Sequence, residues 1–222
     1  KQDFINEVKP LGLSVKRLCE YDYFVDTSMV TKKSVYYNAL NYTDAWLYKL
    51  GIKFNEISPL EKYNHINLKN AQVSNELKDR IDEIKRKDKI LLFHPYSANK
   101  KKSIPQDYAV KFLRELVKKS SDYTVVTALQ VDGKLNDDRY VNLSSYSKNI
   151  DDLMYIISNC DNIITVHTSV MHMSDIFMIP TVVLSNTQRV DEDIKYYQYV
   201  KSYKLEDKTK SLSKFVFEND EL

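Results

Sequence analysis

The most constraining feature of this chain is an alternation of short apolar runs with amphipathic stretches, sustained from residue 89 to residue 184. Lys89–Phe93 (KILLF) has the continuous apolar character of a strand buried on both faces. Pro105 then opens a helix that runs to Lys119, with Ser103 upstream as a plausible N-cap and Ala109, Phe112, Leu113 and Leu116 forming one stripe. Tyr123–Thr127 is the next strand and Val141–Leu143 a short third one. A helix starting at Asn149 or Asp151 turns Leu153, Ile156 and Ile157 inward. Ile163–Val166 is a strand that runs directly into a helix from about Ser169 to Phe177, and Thr181–Leu184 closes the series. Five strands with interleaved helices make an α/β chain with a doubly wound parallel sheet of Rossmann type.

The first 88 residues carry fewer elements. Tyr23–Val25 reads as a strand, Tyr42–Leu50 as a helix ended by Gly51 at the C′ position, and His65–Leu68 as a further strand. Ser74 to Lys87 is a charged amphipathic helix with Leu77, Ile81 and Ile84 on one face, placed where a domain connection belongs. The expected organisation is therefore a partial N-terminal α/β domain over 1–72, a connecting helix over 73–88 and a complete Rossmann-like domain over 89–222. The chain starts at Lys1, not Met, which reads as a fragment or a processed chain.

Composition removes several function classes. Only Gly12, Gly51 and Gly133 are glycine, so neither a Walker-A loop nor G-x-G-x-x-G is present, and any phosphate is held without a glycine-rich loop. A net charge of +2 argues against bulk nucleic-acid binding. Cys19 and Cys160 are too few and too far apart for a disulfide framework or a Cys-based zinc site, which reads as two reduced thiols in a cytosolic protein. No apolar run approaches the roughly 20 residues of a membrane span, and no signal peptide is visible. No Asp-x-Asp metal motif with supporting context appears.

In doubly wound sheets ligands bind beyond the carboxyl ends of the strands, at helix N-termini. Two strand-to-helix junctions have suitable residues. His94 to Pro105 (HPYSANKKKSIP) leaves a buried strand, carries hydroxyls and three consecutive lysines, and ends where helix N–H groups and the helix dipole favour an anion. Taken alone, it is equally a solvated lysine run on a surface loop. Val166 to His172 (VHTSVMH) puts small hydroxyl residues at a helix start and a histidine in its first turn. Thr168 and Ser169 serve equally as plain N-caps, and His172 as a satisfied core histidine. Both junctions lie at one sheet edge, where they could hold the two ends of a nucleotide diphosphate.

With these segments in view, the chain resembles glycosyltransferase family 9, the ADP-heptose:lipopolysaccharide heptosyltransferases of GT-B fold, chiefly their C-terminal half. That family shows H-P-G-A-S, three variable residues and K-R-W-P; His94 to Pro105 fits without a gap, with Lys102 on the lysine and Pro105 on the proline. It later shows Asp, then Ser or Thr, Gly, two residues and His; Thr168, Ser169 and His172 fall on the last three named positions. Ile179–Val182 matches the following strand, and Tyr42–Gly51 resembles a family helix ending in Leu-Gly. The resemblance covers roughly residues 20–190.

The resemblance implies a metal-independent, inverting transferase. It would move a heptose-like sugar from a nucleotide-diphosphate donor, ADP-heptose or similar, to a lipopolysaccharide-core or other envelope glycan or glycolipid. Lys102, Ser97, Thr168, Ser169 and His172 would hold the donor diphosphate, with His167, Lys148 and Asn149 near the sugar or the base. No metal and no further cofactor is implied. The catalytic base, an early aspartate in the family, is expected upstream of Lys1. The setting implied is cytoplasmic, with peripheral association at the inner face of the cytoplasmic membrane. The sequence departs from the family pattern at Tyr96 and Ser169, which stand for glycines, at His167, which stands for the aspartate, and at Ile104, which stands for tryptophan. These departures motivate the alternative expectation, a non-catalytic nucleotide-binding or interaction module of the same fold.

Overall fold

The computed structural model describes residues 40–66, 68–69, 71–186 and 189–205. The expected strand at Tyr23–Val25 and the thiol of Cys19 lie outside them. The chain separates into two compact units, 1–58 and 59–222. In the first, helix α1 (Tyr42–Lys49) starts at Asn41, whose side chain accepts from the Asp44 N–H at 2.8 Å. Gly51 follows its C-cap Leu50 with φ of 74°, the left-handed conformation in which glycine replaces a strained side chain.

The second unit contains one six-stranded sheet, every neighbouring pair parallel. Its strands are β1 (Lys89–His94), β2 (Tyr123–Thr127), β3 (Tyr140–Asn142), β4 (Asn162–Val166), β5 (Thr181–Ser185) and β6 (Val200–Lys204), in the spatial order β3-β2-β1-β4-β5-β6. The order reverses between β1 and β4, the position at whose carboxyl edge doubly wound sheets place their ligands. The helices are α2 (Asn75–Lys85), α3 (Gln106–Lys119), α4 (Ile150–Ser158), α5 (Ser169–Ile176) and the short α6 (Arg189–Asp193).

Alternation along β1 builds both faces of the core. Leu91 and Phe93 point to the side covered by α3, packing with Ala109, Leu113, Val117 and Val166; Phe93 stacks on Phe112 with ring centroids 5.2 Å apart. Ile90 and Leu92 point to the opposite side, against Leu77 and Ile81 of α2, Ile156 and Ile157 of α4 and Val170 of α5. Each such fully buried aliphatic side chain contributes about 1.5–3 kcal/mol. A third cluster, of Met171, Val183, Val190 and Val200, joins α5 and α6 to β5 and β6.

Three expectations are corrected. His65, Ile66 and Leu68 form no strand; the Leu68 carbonyl instead accepts from Ala71 N–H at 3.0 Å, a turn suited to a segment punctuated by asparagines. Pro105, not Ser103, occupies the N-cap of α3, because the Ser103 hydroxyl is committed to the preceding loop. The sheet has a sixth strand, β6, beyond the five expected. Cys160 is a buried free thiol, and its burial raises its pKa far above the ordinary range.

Candidate functional site

The loop after β1 is tied into one conformation by its own small polar residues. Ser97 N–H donates to Ser103 Oγ at 2.9 Å, the Ser103 hydroxyl returns a bond to the Ser97 carbonyl at 3.1 Å, and Ile104 N–H reaches the Pro95 carbonyl at 3.0 Å. Within that closed loop Asn99 caps a 3-10 turn over Lys100–Lys102, accepting from Lys101 N–H at 3.1 Å. Of the three consecutive lysines, Lys100 and Lys101 are exposed, whereas Lys102 is half-buried, its ammonium 3.2 Å from His167 Nδ1. Tyr96 packs against the core cluster under α3, where its hydroxyl is buried and burial raises its pKa. The ring therefore fills the wall behind the loop.

The second junction is set in register by the sheet. His94 pairs with Thr165, whose hydroxyl donates to the His94 carbonyl at 3.1 Å, so the chain ends leaving β1 and β4 emerge side by side. Thr168 is the extended N-cap of α5 and Ser169 its exposed first residue; the Thr168 side chain makes no cap bond. His167 lies between them and a carboxylate: its Nε2 is 3.1 Å from Asp193 Oδ2, and both side chains are nearly buried, at 11% and 5% exposure. The other Asp193 oxygen is 3.4 Å from Arg189 Nε. Lys102 and Arg189 thus bring two cationic side chains to the surroundings of the single Asp193 carboxylate.

His172 stands one turn into α5. Its Nδ1 meets the Tyr197 hydroxyl, which is also bonded by the Asn64 side chain, and the two rings pack edge to face at 5.7 Å. Burial first, then the neighbouring His167, pushes the His172 pKa down to about 4, while burial lifts Tyr197 to about 12. Near neutral pH both groups are therefore uncharged, and the arrangement in which the phenol donates to Nδ1 leaves the imidazole hydrogen on Nε2. Asp175 fixes the approach of Tyr197, accepting from Gln198 N–H at 2.8 Å and Tyr199 N–H at 3.1 Å.

Lys102, His167, Thr168, Ser169 and His172 are thus gathered at the β1/β4 edge. Ser97 lies in the same loop, but its oxygen accepts from Asn99 N–H at 3.3 Å and serves the turn. Lys148 and Asn149 form a reciprocal cap on α4: Asn149 Oδ1 accepts from Asp152 N–H at 2.9 Å, and Asp152 Oδ2 accepts from Lys148 N–H at 3.1 Å. Asp193, Arg189, Tyr197 and Asn64 complete the site and carry no sequence signal. At the ends of β2 and β3, Gln130 Oε1 accepts from Asn142 Nδ2 at 2.6 Å and from the Ser144 hydroxyl at 3.3 Å, a further polar cluster at the carboxyl edge.

Among the described residues no group of three or more His, Cys, Asp and Glu side chains is arranged to hold a metal ion, and no helix is long and apolar enough to cross a membrane. No family model matches the sequence, and no curated protein matches it. Solved structures share the α/β architecture. One is E. coli ADP-heptose lipopolysaccharide heptosyltransferase II, at 18% identity and TM-score 0.46, covering 60% of this chain and 44% of that one. Another is a family 9 glycosyltransferase from Veillonella parvula, at 17% identity and TM-score 0.49, covering 72% and 46%. A third, UDP-GlcNAc 2-epimerase from Methanocaldococcus jannaschii, stands at 13% identity and TM-score 0.48, covering 71% and 48%. The chain matches less than half the length of each.

Proposed function

We propose that this chain is the donor-binding part of a glycosyltransferase and that the β1/β4 edge holds the diphosphate of a nucleotide sugar. The carrying observation is the convergence of Lys102, His167 and His172 on the N-terminus of α5. Its support is electrostatic: a phosphate there meets the Lys102 ammonium as a point charge and backbone N–H groups whose dipole favours negative charge. His172 contributes as a neutral hydrogen-bond donor through Nε2, since its depressed pKa denies it a positive charge at pH 7. As the sugar–phosphate bond breaks, these groups stabilise the negative charge that develops on the leaving diphosphate.

In this reading the sugar is heptose-like, the acceptor is a lipopolysaccharide-core or other envelope glycan, and transfer proceeds with inversion and without a metal. Residues 1–72 form part of the acceptor-side domain, Ser97 supports the phosphate loop, and Lys148 and Asn149 flank the nucleoside. The reaction takes place on the cytoplasmic side of the membrane.

Isothermal titration with ADP, UDP and their sugars tests the proposal. Saturable binding that weakens at least tenfold in Lys102→Ala is expected; no binding, or equal binding by the variant, contradicts it. The alternative of a non-catalytic nucleotide-binding module is favoured by His167 in the aspartate's place. It predicts the same binding without sugar transfer by the full-length gene product.

A further inference from the structure

The contacts around His167 give its two ring nitrogens different roles. Lys102 is an ammonium and has no lone pair to offer, so Nδ1, 3.2 Å away, can only accept. The ring hydrogen then sits on Nε2 and points to Asp193 Oδ2 at 3.1 Å. A phosphate oxygen arriving at Lys102 reverses this arrangement. It draws the ammonium's hydrogens to itself and places an anion beside the lone pair of Nδ1. The nearly buried Asp193 carboxylate, held by Arg189, is already placed to stabilise a second proton on the ring.

We infer that His167 takes up a proton from bulk solvent when a nucleoside diphosphate binds, so that Nδ1–H donates to phosphate while Nε2–H stays on Asp193. This inference rests on the diphosphate reading above and adds a proton linkage that it does not contain. Among the described residues, the charged and titratable groups facing His167 are Lys102 from the β1 loop, Asp193 and Arg189 from α6, and His172 from α5. Lys102 and Arg189 oppose the added proton, and Asp193 and the bound phosphate favour it. His172 stays neutral with its Nδ1 on Tyr197. Asp193 is a positioning residue, acting on the ligand only through the ring.

The test combines titration calorimetry and histidine NMR on the full chain at pH 8, with inorganic pyrophosphate and with ADP or UDP. Calorimetry in buffers of different ionisation heat should show uptake of about one proton more by the wild type than by His167→Gln. The affinity ratio of wild type to variant should rise toward lower pH, as one-proton uptake requires. Asp193→Asn, which keeps an oxygen acceptor but removes the charge, should lower the uptake; a purely structural role for Asp193 predicts no change. With only four histidines in the chain, imidazole nitrogen spectra follow the ring directly in the wild type, whatever the variants do. A doubly protonated His167 in the complex supports the inference. Binding with a neutral His167, or equal proton counts in wild type and His167→Gln, overturns it and leaves the site's function standing. Failure of every nucleotide and of pyrophosphate to bind overturns both.

Discussion

At the scale of single residues, Lys102 differs from its two lysine neighbours in one respect: the loop turns it inward onto His167 while Lys100 and Lys101 remain in solvent. Removing its charge-assisted contact should cost about 1.5–3 kcal/mol of diphosphate affinity, whereas Lys100→Ala should change affinity several-fold less, through the screened field alone. Calorimetry on the two variants checks this contrast. His172 was legible from its place in the first turn after a strand, whereas only the family resemblance separated Lys102 from Lys100 and Lys101. Asp193, Tyr197 and Asn64 were not legible, because they reach the site from segments far along the chain. Nothing in the local order of Arg189–Asp193 says that a carboxylate will be buried against an imidazole.

At the scale of elements, the helices begin where their caps dictate. Asn41, Ser74 and Asn149 each accept from an N–H in the first turn, and replacing any one with Ala should lower stability by about 1 kcal/mol, measurable by urea unfolding. Two glycines divide cleanly. Gly51→Ala puts a Cβ at φ of 74° and should cost about 1 kcal/mol. Gly133→Ala places its Cβ 2.5 Å from Gln130 Nε2, the movable end of a side chain, so the amide swings away. That variant should lose the Gln130 bonds to Asn142 and Ser144 with less than about 0.5 kcal/mol of stability change. The strands from β1 to β5 were legible as apolar runs. β6 was not: in Val200–Lys204 only Val200 is buried, as an edge strand allows, and α6 is too short to show a period.

At the scale of the whole molecule, the low glycine content is compatible with the proposed anion site because the groups proposed to face phosphate are a lysine, histidines and a helix start. Two buried histidines, His94 and His172, make stability depend on pH. Burial pushes both His94 and His172 from 6.5 down to about 4. Between those values the unfolded chain binds more protons than the folded one, so stability falls as pH drops from about 6.5 toward 4. The slope approaches about 1.4 kcal/mol per unit for each ring. Urea midpoints measured from pH 7 to pH 5 should decline, and His94→Phe should roughly halve the decline. The most direct test of the central claim is a crystal structure of the chain with ADP or UDP bound. The account predicts the diphosphate at the β1/β4 edge, within hydrogen-bond reach of Lys102 and the first N–H groups of α5. A diphosphate bound elsewhere, for example in the groove where Lys85, Lys87 and Lys89 meet Asp88, Asp122 and Asp161 at the opposite edge of the sheet, would contradict it.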